Sequence, residues 1–333
     1  LVLPNNLLII IGDNAVGKTN IIEGIQLMTM LSSFRNPAWE EVALNKLEKC
    51  YIRFYYKKDN RDIELTLEVI DNKRTYYLNG KKKQPNAIQG LLPSVLFTPE
   101  DLDIIKGSAE MRRNNIDAIG IQLSKTYSAI RLDYQKVVKQ KNALLKEKII
   151  NKDLIESWNQ NLAHLGALYF LNRFKLFKRM MNSTQRIYPT ISPEEQFSFS
   201  YIPSFIDFLD EKKINNLDNL SIREIEQLLL VALKEKLNNE FVRGKSLIGP
   251  HRDDIKYLIN EKDARIFGSQ GQQRTLILAL KIAEIQTIRE ITSTEPILLL
   301  DDVMSELDES RRNALLNIIN ENNYTFITTT NLG

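Results

Sequence analysis

The chain has 333 residues, with 45 Lys+Arg against 42 Asp+Glu, one cysteine and two histidines. A lone cysteine, Cys50, excludes an internal disulfide and a cysteine metal cluster and fits a reducing compartment, while His164 and His251 are too few for a histidine-rich metal centre. No run of 18 apolar residues offers a membrane span, and the length is enough for two domains or lobes.

Taken in chain order, "NNLLIII" reads as a buried strand, followed by the loop "GDNAVGKTN" and the helix "TNIIEGIQLMTML". "YIRFYYKK", "RDIELTLEVID" and "KRTYYLNGK" alternate and turn at Asn79-Gly80, which predicts an antiparallel sheet edge. Ile116, Ile119, Leu123, Tyr127, Ile130, Tyr134 and Val137 recur every three or four residues and predict one face of a long helix. A second helix is expected from about Leu154 to Met181. A loop with Pro189, Pro193 and Pro203 follows, and then a helix in "SIREIEQLLLVALKEKLNNEF". "GSQGQQRTLILALKIAEIQTIREI" is a loop and helix, "PILLLDD" a buried strand ending in two acids, "ESRRNALLNIIN" a helix and "YTFITTT" a strand. The expected divisions are an N-terminal nucleotide part over 1–105, an inserted helical lobe over 106–240 and a C-terminal nucleotide part over 241–333.

Gly12 to Thr19 fit GxxxxGK[ST]. The glycines let backbone N–H groups curl around phosphate oxygens, and the helix that follows aims its N-terminus at the same charge. Lys18 reaches the β and γ phosphates and Thr19 offers its hydroxyl to Mg²⁺. Gly12, Asn14, Ala15, Gly17, Lys18, Thr19 and Asn20 are the expected loop contacts to ATP. Asp301 would hold Mg²⁺ through a water, and Asp302 is placed to orient or deprotonate the attacking water. With the phosphate loop and the metal acid at opposite ends and a helical lobe between them, the fold class is α/β, an ABC-type P-loop ATPase head with mixed sheets and an inserted helical lobe. "FGSQGQQR" opens a helix, and Ser269 and Gly271, with Gln272, form a small anion-friendly surface suited to the γ-phosphate on a second copy. The same stretch also reads as an ordinary helix N-cap.

These residues carry a resemblance. "GDNAVGKTNIIEGI", "FTPEDLDIIKGSAEMRRNNID", "YQKVVKQKNALLK", "GPHRDD", "FGSQGQQRTLILALKIAE" and "LLLDDVMSELD" span most of the chain in order. Together they resemble the RecF family of bacterial recombination-repair ATPases, relatives of the SMC heads. The resemblance implies Walker A roles for Lys18 and Thr19, a Walker B metal acid in Asp301 and a water-polarising acid in Asp302. It gives Ser269 the part of the signature serine that meets the opposite subunit's ATP, and Asp308 that of the D-loop acid. Lys18, Ser269 and Asp302 are the expected catalytic group. The region Pro99 to Asp101 is the expected Q-loop. The family binds double-stranded DNA when ATP-bound, dimerises with ATP and hydrolyses it slowly. It works with RecR, and indirectly with RecO, to promote RecA loading at gaps. A cytoplasmic, nucleoid-associated location without membrane partners follows from the same resemblance. The chain departs from the family in having Asn14-Ala15 where Asn-Gly is usual, in "SSFRN", which lacks a glycine, and in starting at Leu1 without the opening strand.

Between Lys106 and Ile150 ten Lys or Arg face four Asp or Glu. Arg112, Arg113, Lys136, Lys139 and Lys141 are the expected phosphate contacts to DNA, by backbone and shape rather than base sequence. A solvated helix face is the competing account of the same charges. His251 in "GPHRDD" suits either a phosphate contact or a turn staple, with Arg252 available to Asp253 or Asp254. Two rival functions stand beside the ATPase: a non-hydrolysing ATP-binding assembly factor and a transporter ATPase, the latter disfavoured by the basic helical arm.

Overall fold

The computed structural model describes residues 6–13, 15–33, 49–58, 61–70, 73–147, 152–214, 216–319 and 323–330. The strands used below are β1 (Leu7–Ile11), β2 (Lys49–Lys58), β3 (Arg61–Ile70), β4 (Lys73–Leu78), β5 (Lys81–Lys83), β6 (Ser94–Phe97), β7 (Phe197–Ile202), β8 (Asp254–Ile259), β9 (Lys262–Asp263), β10 (Ile297–Asp301) and β11 (Thr325–Thr329). The helices are α1 (Lys18–Thr29), α2 (Ala109–Leu123), α3 (Lys125–Leu144), α4 (Lys152–Ile191), α5 (Ile222–Arg243), α6 (Gln270–Thr292) and α7 (Glu309–Leu316). Two compact units result: residues 1–100 with 284–333, and residues 101–283.

The first unit holds two sheets. One is wholly parallel in the order β1-β11-β10-β6, with Leu7 opposite Thr325 and Asp301 opposite Thr328. The other is antiparallel in the order β2-β3-β4-β5. Asn79 and Gly80 both take positive φ, as a two-residue hairpin of this twist requires. Helix α1 serves both sheets: Ile22 and Ile25 pack with Leu299 and Phe326, while Leu27 and Met28 pack with Leu65, Leu67, Val69 and Tyr76. Burying both flanks fixes the helix, and so fixes the loop that precedes it. "NNLLIII" forms β1, which among the described residues lies at the edge of its sheet, with Leu7, Ile9 and Ile11 exposed where a buried strand is expected. Cys50 lies in β2 against the antiparallel sheet's core.

The second unit is mainly helical. The apolar periodicity over 116–137 belongs to two helices rather than one. Ser124 breaks the run in extended conformation, and its side chain accepts the N–H of Tyr127 to cap α3. Gly120 is required there because an added Cβ would sit 2.7 Å from the Tyr127 ring. Helix α4 runs 40 residues and carries Pro189 inside its last turns, so the proline expected in a loop lies in the helix. Ser221 and Glu224 form a reciprocal capping box at the start of α5. "FSFSYI", expected within a loop, is strand β7 of a three-stranded antiparallel sheet ordered β7-β8-β9. That pairing draws β8 to the helical unit, so residues 241–283 group with it rather than with 284–333.

A buried charge cluster anchors this unit. The Asp117 carboxylate accepts hydrogen bonds from Tyr127, Tyr169 and Arg173, the last two-pronged at 2.9 Å to each oxygen. The Arg173 guanidinium and the three donors outweigh desolvation and hold the Asp117 carboxyl below its ordinary value. Arg173 also donates to the Pro250 carbonyl at 2.6 Å, tying "GPHRDD" to the helices. Trp158 packs at the edge of the same core, whereas Trp39 lies outside the described residues.

Candidate nucleotide site

The loop after β1 and the acids after β10 meet in the first unit. A cavity of about 300 Å³ is lined by Ala15, Gly17, Lys18, Thr19, Asn20, Asp301 and Asp302. Sheet order explains the meeting: β1 and β10 flank β11, all parallel, so their carboxyl ends open on one edge. Gly17, at φ 96°, turns the chain into α1, whose first turn carries no acid to compete with an anion. Ala15 also takes positive φ, 66°, where an L residue is strained and a glycine would not be. Asn14 lies outside the described residues.

Lys18 is nearly buried, and its ammonium donates to the carbonyls of Gly12 at 2.7 Å and Asp13 at 2.8 Å. The Thr19 hydroxyl donates to Asp301 Oδ1 at 3.1 Å. A residue missed in the sequence, Thr328, donates to the same oxygen at 2.6 Å, and the Asp302 N–H donates back to the Thr328 hydroxyl at 3.1 Å. The only sequence signal for Thr328 was its place in "FITTT", where three threonines follow Phe326 and Ile327. Asp302 sits at φ 53°, a left-handed conformation that costs a non-glycine residue about 1–2 kcal/mol. Its Oδ1 is buried with no hydrogen-bond partner among the described residues. An orphaned carboxylate oxygen beside Thr19 and Asp301 fits a site that takes a hydrated divalent cation and a phosphate chain.

The other expected site residues are not among those lining this cavity. Ser269 immediately precedes α6, accepting the Gln272 N–H at 3.2 Å and donating its own N–H to Gln272 Oε1 at 2.9 Å. This is the helix cap of the alternative account, and it leaves Ser269 exposed. Gln272 further donates to Glu195 at 2.7 Å. Gly271 lies in the first turn of α6. Asp308 caps α7 by accepting the Arg311 N–H and pairs with the Arg311 guanidinium, and it is not among the residues lining the cavity. Pro99–Leu102 forms a short 3₁₀ turn, and Asp101 pairs with Lys281 at 3.0 Å.

Three of the five expected DNA contacts are otherwise engaged. Arg112 is 3% exposed, pairs with Asp254 at 2.8 Å and donates to the Gly107 carbonyl. Arg113, half-buried, donates to the Asp253 carbonyl at 2.6 Å. Lys141 is completely buried against Glu240. These cations hold the helical unit together because burial leaves each needing an internal partner. Lys136 and Lys139 are exposed, the former paired with Asp133 at 2.9 Å.

"GPHRDD" is a turn staple. His251 Nδ1 shares a 2.6 Å hydrogen bond with the Tyr134 hydroxyl, and burial, reinforced by the Arg252 charge, pushes its pKa down to about 3. A neutral ring bonded to Tyr134 offers no charge to a phosphate. Arg252 donates to the Ser246 carbonyl rather than to either acid, Asp254 serves Arg112, and Asp253 accepts from Tyr201 and the Ser204 N–H.

Fold and loop together define an ABC-type P-loop ATPase head with an inserted helical lobe. The model of the family described as the RecF/RecN/SMC N-terminal domain matches residues 2–331, and the chain belongs to this family. It is 37% identical to the DNA replication and repair protein RecF of Lactobacillus johnsonii over 97% of this chain and 86% of that one. It is 36% identical to RecF of Cyanothece sp., over 98% and 85%. Among solved structures it resembles the recombination mediator protein RecF-ATPrS in the RecFOR pathway, with TM-score 0.90 and 33% identity over 99% of this chain and 88% of that one. An SMC head bound to the C-terminal winged-helix domain of ScpA shares the fold alone, with TM-score 0.51 at 13% identity over 97% and 82%. Among the described residues no helix is long and apolar enough to cross a membrane.

Proposed function

We propose that this chain is an ATP-binding DNA-repair protein: a slow ATPase that closes as an ATP-dependent dimer on double-stranded DNA at gaps and promotes RecA loading with RecR, and indirectly with RecO. The observation that carries the reading is the convergence of Lys18, Thr19, Asp301 and Asp302 on one cavity, in a chain akin to proteins named for DNA replication and repair.

The residues divide the work. Lys18, now turned onto the carbonyls of Gly12 and Asp13, exchanges them for phosphate oxygens, which carry more charge. Thr19 and Asp301 would hold Mg²⁺, which when bound neutralises charge on the phosphate oxygens. Asp302 Oδ1, buried without a partner among the described residues, accepts a hydrogen bond from the attacking water and orients it in line. Ser269 closes over the γ-phosphate of a second copy, and Lys136 and Lys139 supply exposed charge to the DNA backbone.

Sedimentation of the wild type and Lys18→Met, with and without Mg-ATP and a short duplex, tests this reading. The expected result is a dimer that retains duplex only with Mg-ATP and only in the wild type. A monomer indifferent to ATP overturns it. ATP-dependent assembly with no phosphate release in a single turnover favours the non-hydrolysing assembly factor.

A further inference from the structure

We propose that Thr328 is a positioning residue for the metal: through its hydroxyl it sets which oxygen of Asp301 is presented to a divalent cation. This rests on the nucleotide-site reading above and concerns one residue of that site.

Thr328 lies in β11, directly opposite Asp301 in parallel register, and is wholly buried. A hydroxyl has one proton to give. The nearest acceptor is the charged Asp301 Oδ1 at 2.6 Å, and the Leu300 carbonyl is much further at 3.4 Å. The hydroxyl's lone pair in turn takes the Asp302 N–H at 3.1 Å. One side chain therefore touches both acids: the carboxylate of the first and the backbone of the second. Thr19 donates to the same Oδ1. With two hydroxyl donors on Oδ1, the carboxylate is held against rotation, and Oδ2, which accepts no hydrogen bond among the described residues, is left for water on the metal. The Asp302 N–H also reaches the Thr328 carbonyl at 3.2 Å, so the strained turn at Asp302 is pinned to this one residue from two sides. Valine would fill the same space in a buried strand without a polar atom. The hydroxyl is thus specific to the acid pair, and carboxylates supported from behind in this way bind metal tenfold to a hundredfold better than unsupported ones.

Mn²⁺ titration of the protein–ATP complex by electron paramagnetic resonance reads the metal directly, and binding of a fluorescent ATP analogue in EDTA reads the nucleotide alone. Thr328→Val is expected to weaken Mn²⁺ binding about tenfold or more and to leave metal-free nucleotide binding unchanged. Thr328→Ser restores the hydroxyl and is expected to bind Mn²⁺ as the wild type does. In an Asp301→Asn background Thr328→Val should add nothing, since the carboxylate it steers is gone. Thermal melts accompany each variant, and Thr328→Ala replaces the valine if that protein fails to fold. Thr328→Val with wild-type Mn²⁺ affinity overturns the inference alone. So does an equal loss in Thr328→Ser, which would assign the effect to packing. A wild type whose ATP complex takes up no Mn²⁺ overturns the nucleotide-site reading and this inference with it.

Discussion

The ammonium of Lys141 lies 2.6 Å from Glu240 Oε2, and neither side chain meets solvent. Glu240 Oε1 at the same time accepts the Leu247 N–H at 2.8 Å and the Ser246 hydroxyl at 3.1 Å. The pair joins α3 to α5 and to the segment leading into "GPHRDD". A cation that looks like a DNA contact in the sequence is therefore a structural one.

Removing one member of such a pair strands the other. Lys141→Ala is expected to destabilise the protein by about 3–5 kcal/mol, measured by urea unfolding. Replacing the pair together, Lys141→Met with Glu240→Gln, which keeps an amide oxygen for the Leu247 N–H and the Ser246 hydroxyl, should recover part of the loss. Lys139→Ala, at an exposed position, should leave stability unchanged and lower the salt slope of duplex binding by about 1. A Lys141 variant with normal stability and a reduced salt slope would reverse the assignment.

Ala15 occupies a left-handed conformation in the phosphate loop. Ala15→Gly is expected to relieve about 1 kcal/mol of local strain and to leave nucleotide affinity nearly unchanged, because the free loop already holds the left-handed shape. Calorimetric titration of ATP into both proteins checks this. A severalfold difference would mean that the strain at Ala15 changes on binding.

His251 is held far below its ordinary value by burial and by the charges of Arg252, Arg113 and Lys141, so the folded state favours the neutral ring. Its contribution to stability is complete above about pH 6.5 and is withdrawn as the pH falls towards 3, because the unfolded chain takes up the proton first. Between pH 7.5 and pH 5 the wild type should lose about 1–2 kcal/mol more than His251→Asn, which keeps a partner for Tyr134 but does not titrate in this range. Parallel losses would show that the ring is not the titrating group. Asp253, whose carboxyl is raised by burial, acts with opposite sign, its contribution growing as the pH falls.

Ser269 caps α6 and, in the proposed reading, meets the nucleotide of a second copy. Ser269→Ala should cost about 1 kcal/mol as a lost cap while leaving ATP binding by the monomer intact. ATP-dependent dimerisation should fall much further than a cap alone explains. Ser269→Asp, which also caps but repels phosphate, separates the two roles: stability returns and the dimer does not. A Ser269→Asp dimer as firm as the wild type's would leave Ser269 as a cap only.

The local chemistry of the nucleotide site was legible because its motif is contiguous: Gly12, Gly17, Lys18 and Thr19 declare a loop by spacing, and Asp301-Asp302 declare a strand end by following an apolar run. Thr328 was not legible, since its role depends on which strand lies beside β10, and no local pattern encodes strand order. The helical unit was readable as helices but not in its breaks. Ser124 interrupts an apolar periodicity that continues on its far side, so the period alone cannot show the gap. Strand β7 did carry a signal, with Phe197, Phe199 and Tyr201 at alternate positions, masked by nearby prolines. The basic residues misled most. Charge is visible in a sequence and burial is not, and Arg112 and Lys141 are cations that the core keeps.

The parallel pairing of β1 with β11 sets a timetable for synthesis. Leu7 must wait for Thr325 to leave the ribosome, an interval of roughly 15–65 s at ordinary elongation rates. The second unit is one continuous stretch, residues 101–283, and all its pairings are available while that wait is still running. The nascent chain is thus expected to carry a finished helical unit and an unfinished phosphate loop, with the backbone of Leu7–Ile11 unpaired, until β11 arrives. Nucleotide binding, in the proposed reading, can then add nothing to stability until Thr325 to Thr329 have been made.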